Sequence, residues 1–243
     1  MITISDLHKN YGKIQVLKGI DLLIPKGTIL GLVGPNACGK TTLMKCILGL
    51  AHFTKGNVLI NNQDIVIGDE YRRMVGYMPQ NPDFPGNLKV REILKMMEDL
   101  RGEKAIFKNE LIENFSLEES LDKTFEVLSG GTKQKVAAVL AFMFDVKILI
   151  LDEPTVGLDP ITASKFKELI RARAAMGTTI IIVSHVLSEL EQIVTDIAFI
   201  FEGKVIATTS LLELKKKGGE ISGCPSLEKA VMDIFSEKSR GNR

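Results

Sequence analysis

Lys40, Thr41, Asp152 and Glu153 are the residues of this chain whose types and settings could do chemistry on a polyphosphate. Lys40-Thr41-Thr42 closes the stretch Gly34-Pro35-Asn36-Ala37-Cys38-Gly39, which follows the apolar run 28–33 and precedes a helical pattern, Leu43 to Leu48. Strand, glycine-bounded loop, Lys-Thr and helix is the context of a phosphate-binding loop, and the full spacing argues against an ordinary strand-to-helix turn. The loop's N–H groups and the helix N-terminus offer positive partial charge to phosphate oxygens. In that setting Lys40 can reach the β- and γ-phosphates and Thr41 can hold Mg²⁺. The run Ile148-Leu149-Ile150-Leu151 ends in Asp152-Glu153, two carboxylates at the carboxyl end of a buried strand, where ligand sites of parallel sheets lie. That placement brings Asp152 near a metal on Thr41, and Glu153 beside the γ-phosphate to orient or deprotonate water. Taken alone, the same pair also reads as a surface acidic strand end.

Leu128-Ser129-Gly130-Gly131-Thr132 stands just before another helical pattern. Its plain reading is a helix cap, Ser129 accepting from the backbone with glycines permitting the turn. Its functional reading needs the same geometry, a hydroxyl and exposed N–H groups aimed at an anion.

These residues need elements to hold them. Short strand-like runs open the chain at 2–4 and 20–24, with turns at 11–13 and 24–28; 57–60 and 75–78 follow as strands, the first ended by Asn61-Asn62 and the second by Pro79. From about 87 to 125 the residues are Leu, Met, Glu and Lys at helical spacing, which predicts a small helical insertion. Then helix 131–144, strand 147–151, helix 160–175, strand 179–183, helix 187–194 and strand 197–201 alternate, and a hairpin leads into 205–207. That rhythm predicts an α/β fold with a mostly parallel sheet flanked by helices. An amphipathic helical pattern occupies 226–236.

The whole is 243 residues long, 45% apolar, with a net charge of +1. Near-neutral charge gives no case for a nucleic-acid partner. Three cysteines without metal spacing or a disulfide framework fit a reducing cytosol. No signal peptide is expected, since Asp6, His8 and Lys9 come too early for an apolar segment. The apolar run 136–144 is far short of the roughly 18–20 residues that span a bilayer.

Read together, these motifs resemble the ATP-binding subunit of an ABC transporter, and the resemblance covers nearly the whole chain. Leu128 to Gly131 is similar to the family's signature, Leu151-Asp152-Glu153-Pro154-Thr155 to its Walker B strand and catalytic Glu, and Gly157-Leu158-Asp159-Pro160 to its D-loop. Ser184-His185 resembles the switch histidine that senses the γ-phosphate. Tyr77-Met78-Pro79-Gln80 resembles the Q-loop, whose Gln80 would touch Mg²⁺ or water. Tyr11 sits where the family places an aromatic against adenine, though plain strand packing is the alternative. The resemblance implies ATP and Mg²⁺ as cofactors. It assigns Glu153, His185 and Gln80 to catalysis, and Thr41, Gln80 and Asp152 to the metal. Nucleotide binding falls to Tyr11, Gly34, Pro35, Asn36, Ala37, Cys38, Gly39, Lys40, Thr41 and Thr42, with Ser129, Gly130 and Gly131 acting on a second copy's ATP.

It further implies the ABC ATPase fold, a P-loop NTPase with an N-terminal antiparallel β subdomain, as one domain over 1–243. Residues 1–80 and 126–208 would form the core, about 81–125 the insertion leading into the signature helix 131–144, and 209–243 a helical tail. The implied partners are a second copy in an ATP-sandwich homodimer and separate membrane permease subunits, with the chain in the cytoplasm on the inner face of the membrane. The alternative is a soluble ABC-type ATPase in cofactor assembly or another role outside transport.

Departures from the family pattern stand at Ala37, usually Gly, and at Cys38 and Thr132. Ala37 predicts a φ that alanine accepts, or a slightly altered loop. Cys38, near a helix N-terminus and Lys40, predicts a thiol-sensitive enzyme protected by ATP. Residues 128–136, 76–80 and 84–88 resemble, more narrowly, the ATPase linked to nitrous oxide reductase maturation, a role tied to copper-site assembly. Phe84, Pro85 and Leu88 read either as a permease-docking surface or, for Phe84, as packing within the insertion.

Overall fold

The structure, a computed structural model, describes residues 1–214 and 216. Most of the expected tail, including the pattern at 226–236, and Cys224 lie outside the described residues. Two sheets organise the rest. Strands β1 (Ile2–Tyr11), β2 (Ile14–Ile24), β4 (Lys55–Ile60) and β5 (Gln63–Asp64) form an antiparallel sheet in the order β2-β1-β4-β5. The second sheet has six strands. β3 (Ile29–Val33), β6 (Val75–Met78), β7 (Ile148–Asp152), β8 (Thr179–Val183) and β9 (Asp196–Phe201) run parallel, and β10 (Lys204–Ser210) pairs antiparallel with β9. Its order is β10-β9-β3-β8-β7-β6.

The continuous apolar runs in β3, β7 and β8 have a simple cause: both faces of the sheet are covered. Alternate residues go to opposite cores. Ile29, Val33, Leu149, Leu151, Ile180 and Ile182 face one cluster, with the insertion and α4 (Gly130–Phe142). Leu30, Leu32, Ile148, Ile150, Ile181 and Val183 face the other, with α1 (Lys40–Ile47) and the antiparallel sheet. Helix α4 is buried along most of its length, which is why its run 136–142 is apolar on every side.

The insertion is helical as expected: α2 (Val90–Arg101), α3 (Lys108–Asn114) and two 3₁₀ turns, all packed toward α4. Phe84 is half-buried, and its ring meets Phe125 edge-on at 5.3 Å between centroids. Phe84 and Leu88 thus pack partly against the core, while Pro85 is exposed.

Three boundaries differ from the sequence expectation. The first two strands run on to Tyr11 and back from Ile14, because the turn at Gly12-Lys13 closes a hairpin through polar residues. The strand after β9 likewise extends to Ser210, drawn out by its pairing with β9. The helix expected over 187–194 is only α6 (Leu187–Leu190). The chain leaves it to dock Thr195 on β3, where the Ile29 N–H donates to Thr195 Oγ1 at 3.0 Å and the Thr195 N–H to the Ile29 carbonyl at 2.9 Å. Helix α5 (Pro160–Ala175) matches its expected range, its start set by Asp159, which accepts from the Thr162 N–H at 2.9 Å, and by Pro160 at the first turn.

Candidate functional site

The carboxyl ends of β3, β7 and β8 open into one cleft of about 640 Å³. Asn36, Ala37, Gly39, Lys40, Thr41 and Thr42 supply one wall. Gln80, Asp152, Glu153 and His185 line it opposite, and Tyr11 and Val16 come from the antiparallel sheet. Residues 140 or more positions apart in sequence thus meet where the parallel-sheet rule places a ligand.

The loop between β3 and α1 is shaped by close approach. A Cβ at Gly34 would stand 2.2 Å from the Ile200 carbonyl and 2.7 Å from Cys38 Sγ, so only glycine fits. Gly39 has φ 111° and leads directly into α1. Lys40 Nζ donates to the Gly34 and Pro35 carbonyls at 2.7 and 2.9 Å, so its ammonium lies over the loop's own oxygens.

Two expectations about this loop are corrected. Ala37 sits at φ 62°, in the left-handed region, so the backbone is not one that suits alanine. Holding an L-residue there costs about 1–2 kcal/mol. Ala37→Gly relieves that cost, offset by about 0.4–1 kcal/mol from a freer unfolded chain. Since Ala37 is exposed and loses no packing, the expected result is a net gain of about 0.5–1 kcal/mol. Thermal melting reads it as a rise of about 1–4 °C, and a fall in melting temperature would refute the strain at this position. Cys38 is the other correction. It is only 5% exposed, belongs to the core cluster under α1 and does not line the cleft, although its Sγ lies 3.9 Å from Lys40 Nζ. A buried thiol is shielded from reagents, so thiol sensitivity loses its basis. Gly34, Pro35 and Cys38 shape the loop without lining the cleft.

Tyr11, the last residue of β1, lines the cleft and is 48% exposed. Lys9 Nζ lies 4.5 Å from its ring centroid.

Asp152 and Glu153 are both buried. Burial, and then the like charge of Glu153, push the Asp152 carboxyl upward, while Lys40 and Lys45 oppose that. Glu153 has φ 50°, a strained conformation for a residue with a side chain, worth about 1–3 kcal/mol. Two contacts to the end of β8 impose it. The Glu153 N–H donates to the Val183 carbonyl at 2.8 Å, and Glu153 Oε1 accepts from the His185 backbone N–H at 3.1 Å and from His185 Nδ1 at 2.8 Å. Nδ1 is thus the ring nitrogen of His185 that meets the carboxylate. Glu153 Oε2 is buried without a hydrogen-bond partner.

That orphaned oxygen, with the buried carboxylate of Asp152 next to it in sequence, is a setting that favours a cation. Thr41, Gln80 and Asp152 line the same cleft with hydroxyl, amide and carboxylate oxygens, the hard donors a Mg²⁺ ion takes. Among the described residues no group of three or more His, Cys, Asp or Glu is arranged as a metal cage. A Mg²⁺ bound by few protein ligands and by phosphate needs none.

Ser129, Gly130 and Gly131 do not line this cleft. Ser129 caps α4, its Oγ accepting from the Thr132 N–H at 3.2 Å. A Cβ at Gly131 would stand 2.8 Å from the Gly157 carbonyl, so glycine is required there by the chain itself. At Gly130 a Cβ would meet nothing within 4 Å, and both Ser129 and Gly130 are exposed. Gln134, buried on α4, donates from Nε2 to the Gln80 carbonyl at 3.3 Å and ties the signature helix to the cleft wall.

A family model for ABC transporters matches residues 17–156. The lantibiotic transport ATP-binding protein SrtF of Streptococcus pyogenes is 34% identical over 206 residues, covering 85% of this chain and 89% of that one. A solved structure of an ATP-binding subunit of an ABC transporter superposes with a TM-score of 0.89 at 28% identity, over 97% of this chain and 99% of that one. A dimeric, post-hydrolysis ATP-binding cassette with bound ADP and Pi superposes with a TM-score of 0.76 at 25% identity, over 87% and 99%.

Proposed function

The chain belongs to the ABC transporter family, and on that premise we propose that it energises a membrane permease by closing two copies of itself around ATP. Its fold is the ABC ATPase fold, and the chain is an ATP-binding ATPase subunit. The observation that carries the rest is the single cleft that gathers the phosphate loop, Gln80, Asp152, Glu153 and His185.

In this reading the triphosphate lies on the N–H groups of residues 36–42 and on the N-terminus of α1. Lys40 leaves the carbonyls of Gly34 and Pro35 for the β- and γ-phosphate oxygens, exchanging neutral acceptors for charged ones. Tyr11 takes the base. Thr41, Gln80 and Asp152 would hold a Mg²⁺ ion, which would supply charge neutralisation at the phosphates. Glu153 Oε1 stays with His185, which leaves Oε2 to bind and orient the attacking water. With Nδ1 turned to Glu153, Nε2 is the nitrogen of His185 left to meet the γ-phosphate. Ser129 and Gly130 complete the neighbouring copy's site, supported by their exposure, by the open space at Gly130 and by the dimeric relative.

Lys40→Ala tests the binding half of this reading. A lost hydrogen bond to a charged group is worth about 1.5–3 kcal/mol, so ATP affinity should fall roughly 10- to 100-fold. Titration with a fluorescent ATP analogue measures it, and unchanged affinity would remove Lys40 from the site.

The permease partner and a place on the inner face of the membrane follow from the same proposal. Cargo is a finer question. The segments 76–80, 84–88 and 128–136 carry the resemblance to the ATPase linked to copper-site assembly, while the relative SrtF points to lantibiotic transport. Co-purification of the membrane partner from detergent-solubilised membranes separates the two.

A further inference from the structure

The turn after β7 and the turn after β8 are joined by two side-chain links, of which the Glu153–His185 contact is one. In the second, Thr155 Oγ1 donates to Glu189 Oε2. Thr155 stands two residues after Glu153, and Glu189 stands on α6, four residues after His185. The links therefore act as successive rungs between the same two segments, beyond the point where β7 and β8 stop pairing at Asp152 and Val183.

The second rung matters because the first is poorly held by packing. The His185 side chain is 66% exposed, so its position on Glu153 depends on the backbone that carries it. The Val186 N–H donates to Ser184 Oγ at 3.1 Å, and Leu190 on α6 is buried, which fixes the two ends of the segment. Glu189 fixes it relative to the Glu153 turn. Glu153 at φ 50° also needs its surroundings to over-determine it.

We propose that Glu189, acting through Thr155, is a positioning residue for ATP hydrolysis that keeps His185 on Glu153 Oε1 and Oε2 directed into the cleft. The inference rests on the roles given above to Glu153 and His185.

Steady-state ATP turnover by the full chain with Mg-ATP tests it in Glu189→Ala, Glu189→Gln, Thr155→Val and the Thr155→Val/Glu189→Ala double variant, beside Glu153→Gln. Expected is a fall in kcat of about tenfold in Glu189→Ala, with KM and fluorescent-nucleotide affinity within about twofold of wild type. Glu189→Gln keeps an amide oxygen for the Thr155 hydroxyl and should recover kcat to within about threefold of wild type. The double variant should be no worse than the worse single one, since both remove the same bond. A purely structural role would instead lower the melting temperature, move KM with kcat and resist rescue by Gln, and that pattern overturns the proposal. So do additive losses in the double variant, or wild-type turnover in Glu189→Ala beside an inactive Glu153→Gln. Turnover retained by Glu153→Gln would overturn the underlying reading of the site, and this inference with it.

Discussion

Glu153→Gln should bind ATP as the wild type does and lose turnover by at least about 100-fold. The phosphates are held on the loop and by Lys40, none of which the substitution touches. Glutamine preserves the backbone, the volume and an oxygen that still accepts from the His185 N–H and Nδ1. What it replaces is Oε2, the buried oxygen that no group of the chain satisfies, with an NH₂ that can neither take a proton nor orient water by accepting from it. Melting temperature should barely change, because the φ of 50° and its two ties to the end of β8 survive. ATP held without hydrolysis should then accumulate a dimer, visible by size-exclusion chromatography with Mg-ATP. Unchanged turnover would remove Glu153 from its assigned role.

The parts of the site that could be read from sequence are those whose chemistry is local. A strand, a glycine-bounded loop and Lys40-Thr41 at a helix start specify the loop because each residue's job depends on its near neighbours. The acidic end of β7 was legible for the same reason. A buried parallel strand is continuously apolar, and Asp152 and Glu153 break that pattern where the strand must meet a ligand. What could not be read depends on tertiary contact. Ala37 and Glu153 both have positive φ, and alanine or glutamate carries no local signal for the left-handed region; for Glu153 the ties are to the end of β8. The burial of Cys38 comes from its place in a core cluster assembled from both sheets and α1. The Thr155–Glu189 link joins residues that no motif connects.

Strand lengths were legible only in part. His8, Lys9 and Asn10 lie beyond the expected strand 2–4, yet they pair in β1 because β2 offers all three a partner and β4 offers one to His8. Conversely, 191–194 look helical but serve the entry of Thr195 onto β3. The Asn61-Asn62 turn carried its own signal. Both residues have positive φ, 49° and 65°, the demand of a tight hairpin turn that asparagine meets well.

Ser129→Arg should leave ATP binding to the single chain unchanged while abolishing ATP-driven dimerisation and turnover. Ser129 is exposed and lies outside the cleft of its own chain, so a long cation there does not touch that chain's nucleotide. In the proposed dimer it falls on the phosphates of the other copy's ATP, where Gly130 faces open space and the surfaces must approach closely. The substitution also removes the cap on the Thr132 N–H, a loss of about 1 kcal/mol. Ser129→Ala isolates that cost, since it loses the same cap without adding bulk or charge. Its dimer should weaken far less than that of the arginine variant. Binding of a fluorescent ATP analogue, size-exclusion chromatography with Mg-ATP and steady-state turnover give the three readouts. If Ser129→Arg still dimerises with ATP and hydrolyses it normally, each site is complete within one chain and the shared-site arrangement is wrong. If Ser129→Ala fails as completely as Ser129→Arg, the cap on α4 accounts for the defect, and the contact across the dimer does not.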